Sequence, residues 1–215
     1  MRRISTMLLA ALGMSIGSAQ AASLGFTGQL ADDSSLAIIE FTVSGNSNTV
    51  LRTVSYGGGV LPDGTMIDPG GFDPVLTVFQ KSSGAFFGDR DDDVTGTVLP
   101  DPVTNQSYDA IFELDGNVTP AGSYYLVVSQ YPNRSLGDPF LGDFSVIDPF
   151  GTGALYGCSN GQFCDSTGAN RTSDWAVILE NVESAAPYAP IPVPPALPLL
   201  ASGMFGLWFL GRKRI

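Results

Sequence analysis

The sequence predicts an all-β domain, an antiparallel β-sandwich with jelly-roll-like connections, and three observations carry that expectation. Six segments between residues 36 and 179 are runs of β-branched and aromatic residues of strand length. The stretches joining them are rich in Gly, Asp, Asn and Pro, as turns require. No segment of the middle of the chain repeats its apolar residues at the 3.6-residue helical period.

In chain order, the first expected strands are residues 36–43 (Leu-Ala-Ile-Ile-Glu-Phe-Thr-Val) and 49–56 (Thr-Val-Leu-Arg-Thr-Val-Ser-Tyr), parted by the turn cluster Ser44-Gly45-Asn46-Ser47. Residues 75–79, 108–114, 123–129 and 175–179 follow. Two of the six alternate clearly. Leu51, Thr53 and Ser55 oppose Val50, Arg52 and Val54, while Ala110, Phe112 and Leu114 oppose Asp109, Ile111 and Glu113. No internal repeat is evident.

Residues 1–21 read as a signal peptide. Arg2 and Arg3 form a short basic start, an apolar stretch runs from Met7 to Ile16, and Ala19-Gln20-Ala21 offers a small-x-small site for signal peptidase. The β-sandwich domain is assigned to residues 22–186. Residues 187–198 form a Pro-rich linker with Pro192, Val193, Pro194, Pro195 and Ala196 at its centre, extended because proline excludes helix and central strand. Residues 199–215 are expected to be a short transmembrane helix with the basic end Arg212, Lys213 and Arg214, which should stay cytoplasmic. Counted from Ala196 to Gly211 the apolar run has 16 residues. That is about 24 Å of helix against a hydrocarbon core of roughly 30 Å, a length suited to a temporary stop.

Charge narrows the partners. Five of the ten Lys and Arg sit in the terminal segments, whereas all 21 Asp and Glu lie between Asp32 and Glu183. The domain thus sets five cations against 21 carboxylates, which repels nucleic acid and attracts divalent cations. Cys158 and Cys164 are the only cysteines, six residues apart. In an exported chain such a pair is expected to close a small-loop disulfide, and a thiolate metal site would lack further Cys or His ligands.

Calcium is the one cofactor the residues suggest. Asp89, Asp91 and Asp93 stand at alternate positions of an acidic turn, where carboxylates can converge on a hard cation; Asp73 and Asp109 are further candidate ligands. The turn is not an EF-hand, because Val94 and Pro100 occupy the positions that need Gly and Glu. The alternative is a solvated acidic turn. Catalysis finds little footing, since the chain has no histidine for a nucleophile–base pair or a zinc site. A pair of carboxylates acting on a glycoside is the remaining enzymatic reading, with no particular pair singled out. Gly57-Gly58-Gly59 lacks the Lys and helix of a phosphate loop. Tyr124, Tyr125, Tyr131 and Trp175 are able to stack on sugars if exposed, although core positions suit most of them better.

The order Pro192-Val193-Pro194-Pro195-Ala196, Leu197-Pro198-Leu199-Leu200, Gly203, Gly206 and a basic end resembles a PEP-CTERM sorting signal, closest to its Val-Pro-Leu-Pro-Ala variant. Pro195 before Ala196 and the terminal Ile215 depart from that pattern. The resemblance implies an exosortase-type processing protease as partner, cleavage near the proline motif, and transient residence in the inner membrane of a Gram-negative cell. The product would then reach the cell envelope or the exterior, in association with exopolysaccharide or biofilm. A second resemblance lies within residues 70–133. Gly70-Gly71-Phe72-Asp73-Pro74-Val75-Leu76-Thr77-Val78-Phe79, Asp91-Asp92-Asp93, Tyr108-Asp109-Ala110 and Ala121-Gly122-Ser123-Tyr124-Tyr125-Leu126-Val127-Val128 are similar to bacterial pre-peptidase C-terminal domains. That likeness implies a β-sandwich of accessory or binding type with no catalytic residues. The expectation is a non-catalytic envelope or extracellular-matrix protein. The alternatives are a secreted carbohydrate-active enzyme and a calcium-stabilised structural module.

Overall fold

The computed structural model describes residues 22–92, 96–135 and 163–188. The signal segment, the sorting motif Pro192, Val193, Pro194, Pro195 and Ala196, the basic end Arg212, Lys213 and Arg214, Asp93 and Cys158 all lie outside the described residues. Among those described the chain is all-β, with no helix.

Eleven strands follow one another: β1 (Ala22–Gln29), β2 (Ala37–Val43), β3 (Thr49–Thr53), β4 (Gly59–Val60), β5 (Met66–Ile67), β6 (Pro74–Gln80), β7 (Phe86–Arg90), β8 (Ile111–Leu114), β9 (Gly122–Gln130), β10 (Asp174–Val182) and β11 (Ser184–Pro187). They form a four-stranded sheet in the order β1-β10-β3-β8, a five-stranded sheet in the order β11-β2-β9-β6-β7, and the small β4-β5 pair. All pairings between named strands are antiparallel. The turn cluster after β2 does not close a hairpin. It carries the chain from the five-stranded sheet to the four-stranded one, with Gly45 supplying a positive φ of 73°.

One apolar core joins the two sheets, which makes the arrangement sandwich-like. Ile39 and Phe41 of β2, Leu76 and Val78 of β6 and Leu126 and Val128 of β9 meet Leu51, Phe112, Val177 and Leu179 of the opposite sheet. Each such side chain stabilises the fold by roughly 1.5–3 kcal/mol on burial. The alternation expected of residues 49–55 holds, with Leu51, Thr53 and Ser55 buried. Strands β6 and β9 instead read as continuous apolar runs because both their faces are covered. Phe79, Tyr125 and Val127 form a second cluster on the outer face, packed by Leu36, Ile38 and Tyr188.

The segment 108–114 departs from its expected strand. Only residues 111–114 pair with β3, and Asp109, which the alternation turns outward, is buried. Its carboxylate accepts three backbone hydrogen bonds, and these compensate a burial that alternation alone would forbid.

Candidate functional site

The strand directions bring most of the polar chemistry to one end of the sandwich. The C-terminal ends of β3 and β9 and the N-terminal ends of β6, β8 and β10 share that end, where Gly71 bridges to Thr172 and the Phe72 ring stacks on Phe163. Three connections bring aspartates to it: β5–β6 supplies Asp73, β7–β8 supplies Asp91, Asp92, Asp101 and Asp109, and β9–β10 supplies Asp165.

Arg171 stands at the centre of this end. Its side chain is only 3% exposed, and Nη2 lies 3.1 Å from Asp101 Oδ2. Nε lies 3.9 Å from Asp165 Oδ2 and donates to Gly71 O, while Nη2 also donates to Tyr56 O. The guanidinium stacks over the Tyr56 ring at 3.8 Å from its centroid. Tyr56 donates its hydroxyl to Asp165 Oδ2 at 2.6 Å. Both aspartates also close Asx turns. Asp101 Oδ1 accepts from Val103 N and Thr104 N, and Asp165 Oδ1 from Thr167 N and Ala169 N. Burial pushes the carboxyls of Asp101 and Asp165 up, yet their hydrogen bonds prevail and hold both below the ordinary carboxylate range.

Asp109 ties in a further loop. Oδ1 accepts from Ser55 N at 3.0 Å and Tyr56 N at 3.1 Å, and Oδ2 from Gly57 N at 2.8 Å. Burial raises its carboxyl despite these donors. Gly57 is needed here because a Cβ would sit 1.9 Å from Leu99 O. The Gly57-Gly58-Gly59 run thus serves close backbone approach.

The acidic turn is engaged elsewhere. Arg134 lies 3.1 Å from Asp89 Oδ2 and also contacts Asp91 Oδ2, with its guanidinium over the Tyr131 ring. Among the described residues no three acidic side chains gather closely enough to hold a metal ion on carboxylates alone. Asp89 and Asp91 share Arg134, Asp109 is directed at backbone N–H groups, and Asp73 stands apart from both arrangements. Asp73 is 4% exposed and its Oδ1 has no hydrogen-bond partner. Burial, then the charges of Asp92 and Asp165, push its carboxyl up to about 8.

Cys164 is buried and its backbone forms an isolated antiparallel β-bridge with Asn170; no cysteine is free among the described residues. Of the aromatics read as possible sugar platforms, Tyr124 and Tyr125 are buried. Trp175 is half-buried and lies over Gly28, its cross-strand neighbour, where a Cβ would meet the indole at 2.7 Å. It lines an open groove of about 540 Å³ with Gln29, Asp68, Met66 and Asp174. Gln29 Nε2 donates to Asp174 Oδ1 at 2.8 Å on its rim.

No protein-family model matches the chain, and no curated protein is detectably similar to it.

The Arg171 centre was not anticipated from the sequence, since its partners come from residues 56, 101 and 165. The two Asx-turn signatures, Asp101-Pro-Val-Thr104 and Asp165-Ser-Thr167, were the local signal available.

Proposed function

We propose that this chain is an exported, non-catalytic module of the cell envelope or extracellular matrix, carried on a jelly-roll sandwich and processed at both ends. The strand orders β1-β10-β3-β8 and β11-β2-β9-β6-β7 support the jelly-roll reading, because successive strands pass between the sheets as two interleaved Greek keys do. The small-x-small site before Ala22 supports removal by signal peptidase. The proline motif 192–196, the short apolar run and the basic end support recognition by an exosortase-type protease and a transient stay in the inner membrane. A disulfide between Cys158 and Cys164 belongs to the same reading.

The observation that carries the non-catalytic reading is the engagement of three of the four buried acids among the described residues, the fourth, Asp73, being only 4% exposed and so closed to a substrate. A glycosidase needs two carboxyls facing a cleft, one of them free to protonate the leaving group. Asp101, Asp109 and Asp165 instead accept from backbone N–H groups or pair with Arg171. Their work is to pin loops. The Trp175 groove supports a contact with exopolysaccharide, since an indole face beside Gln29 and Asp174 offers stacking and hydrogen bonds together.

A glycan array and a hydrolysis assay on the purified protein test this. Binding without turnover, weakened at least about tenfold by Trp175→Ala, is expected from the loss of one stacking platform. Turnover abolished by a single carboxylate-to-amide change would instead establish the carbohydrate-active enzyme.

A further inference from the structure

The groove lined by Trp175 carries one sign of charge. Asp68 and Asp174 line it, Gln29 Nε2 is turned onto Asp174 Oδ1 at 2.8 Å, and among the described residues no Lys or Arg lines it. Arg52 of the same sheet is paired with Glu180 at 2.8 Å, and Arg171 is buried against Asp101 and Asp165. A cleft walled by one sign of charge concentrates ligands of the opposite sign and turns away its own. Its volume of about 540 Å³ lies within the range of small-molecule sites.

A second observation points to an occupant. Ser55 lines the same groove, is 2% exposed, and its hydroxyl is buried with no hydrogen-bond partner. The ladder places it. Val177 stands opposite Thr53 and Val54 N donates to Ala176 O, so the next pair sets Ser55 across from Trp175, which itself stands opposite Gly28. Gly28, Trp175 and Ser55 thus form a row on one face of the sheet, with a small residue on either side of the indole. A buried hydroxyl without a partner carries a standing cost, which a hydroxyl of a bound ligand, or a water it holds, would remove.

We propose that this groove selects saccharides bearing protonated amino groups, as in a de-N-acetylated hexosamine polymer, over neutral and acidic ones. The inference rests on the saccharide reading of the same groove and narrows it to one class. An ammonium group is received by the Asp68 and Asp174 carboxylates, and over the indole it gains the cation–π attraction for which Trp is the best aromatic partner. Sugar hydroxyls meet Gln29 and Ser55. A uronic acid polymer would set its carboxylates against both aspartates, with no cation lining the groove to receive them. Acetylating the amine removes the charge that the aspartates answer.

Calorimetric titration of the purified protein with hexamers of glucosamine, N-acetylglucosamine and galacturonic acid, and with spermidine, tests the proposal. The glucosamine hexamer should bind at least about tenfold more tightly than the N-acetylglucosamine hexamer, and the galacturonate hexamer should not bind measurably. Asp68→Asn and Asp174→Asn together should weaken the glucosamine hexamer about five- to tenfold. Glu113→Gln with Glu183→Gln, an equal change of charge outside the groove, should weaken it less than about twofold. All four carboxylates belong to exposed residues, so folding is not at stake. Equal affinity for the amino and acetylated hexamers, or preference for galacturonate, overturns the amine selection and leaves the saccharide contact in place. Binding of no hexamer removes both. Spermidine bound as tightly as the glucosamine hexamer, or a glutamate pair that costs as much as the aspartate pair, also overturns the proposal, by assigning the binding to the diffuse charge of the domain.

Discussion

Replacing Arg171 by methionine would show how much of the domain's stability rests on its polar end. The guanidinium is 3% exposed, pairs with Asp101 at 3.1 Å, and donates to the carbonyls of Gly71 and Tyr56. Methionine fills much of the same volume but leaves the Asp101 and Asp165 carboxylates buried without a cation. Breaking a buried pair from one side costs about 3–5 kcal/mol. For a domain of this size each kcal/mol lowers Tm by about 2–4 °C, so a loss of about 6–20 °C at pH 7 is expected in a calorimetric scan. The pH dependence sharpens the test. Arg171 helps hold the Asp101 carboxyl below its ordinary range. A carboxyl depressed in the folded state stabilises above its unfolded pKa, and that stability disappears as pH falls through the folded value. The gap between parent and variant should therefore be full above about pH 4 and narrow below it. A loss under about 3 °C at pH 7, or a gap that does not narrow in acid, would refute the role given to Arg171.

Two further substitutions probe the same end. Gly57→Ala places a Cβ 1.9 Å from Leu99 O, so the 99–100 backbone must move; a loss of about 1–3 kcal/mol, read as a lowered urea midpoint at unchanged m, is expected. Tyr56→Phe removes the hydroxyl donor to Asp165, with an expected cost of about 1.5–3 kcal/mol by urea titration and an acid unfolding limb moved to higher pH.

The strands that could be read from the sequence are those whose pattern is set by burial. Residues 75–79 and 123–129 are dense with Val, Leu, Phe and Tyr, and they form the doubly covered centre of the five-stranded sheet. The strands that could not be read are at edges, where pairing is backbone work and side chains carry little signal. β1 contributes Gly25, Gly28 and Ser23 alongside Leu24 and Phe26, yet it pairs with β10 along most of its length. β11 is Ser-Ala-Ala-Pro, acceptable only at an edge because Pro187 cannot donate. β7 is Phe-Phe-Gly-Asp-Arg and runs directly into the acidic turn, so its strand character is masked by charge.

The candidate sites divide on a different principle, one that residue counting does not reach. Asp89-Arg90-Asp91-Asp92-Asp93 is the densest run of acid in the chain. In the fold, Arg134 is shared by Asp89 and Asp91 from 43 residues beyond the latter, which lowers their call on a metal ion. Asp109, a further candidate ligand in the sequence, accepts from three backbone donors. Asp73, another candidate ligand from the sequence, is the one left with a buried oxygen that no donor meets. A buried polar group whose hydrogen bonds are met holds the structure together. Asp101, Asp165 and Arg171 belong to that kind, whereas Asp73 Oδ1, Gln130 Oε1 and Asn133 Oδ1 are buried at the same end of the sandwich with no hydrogen-bond donor.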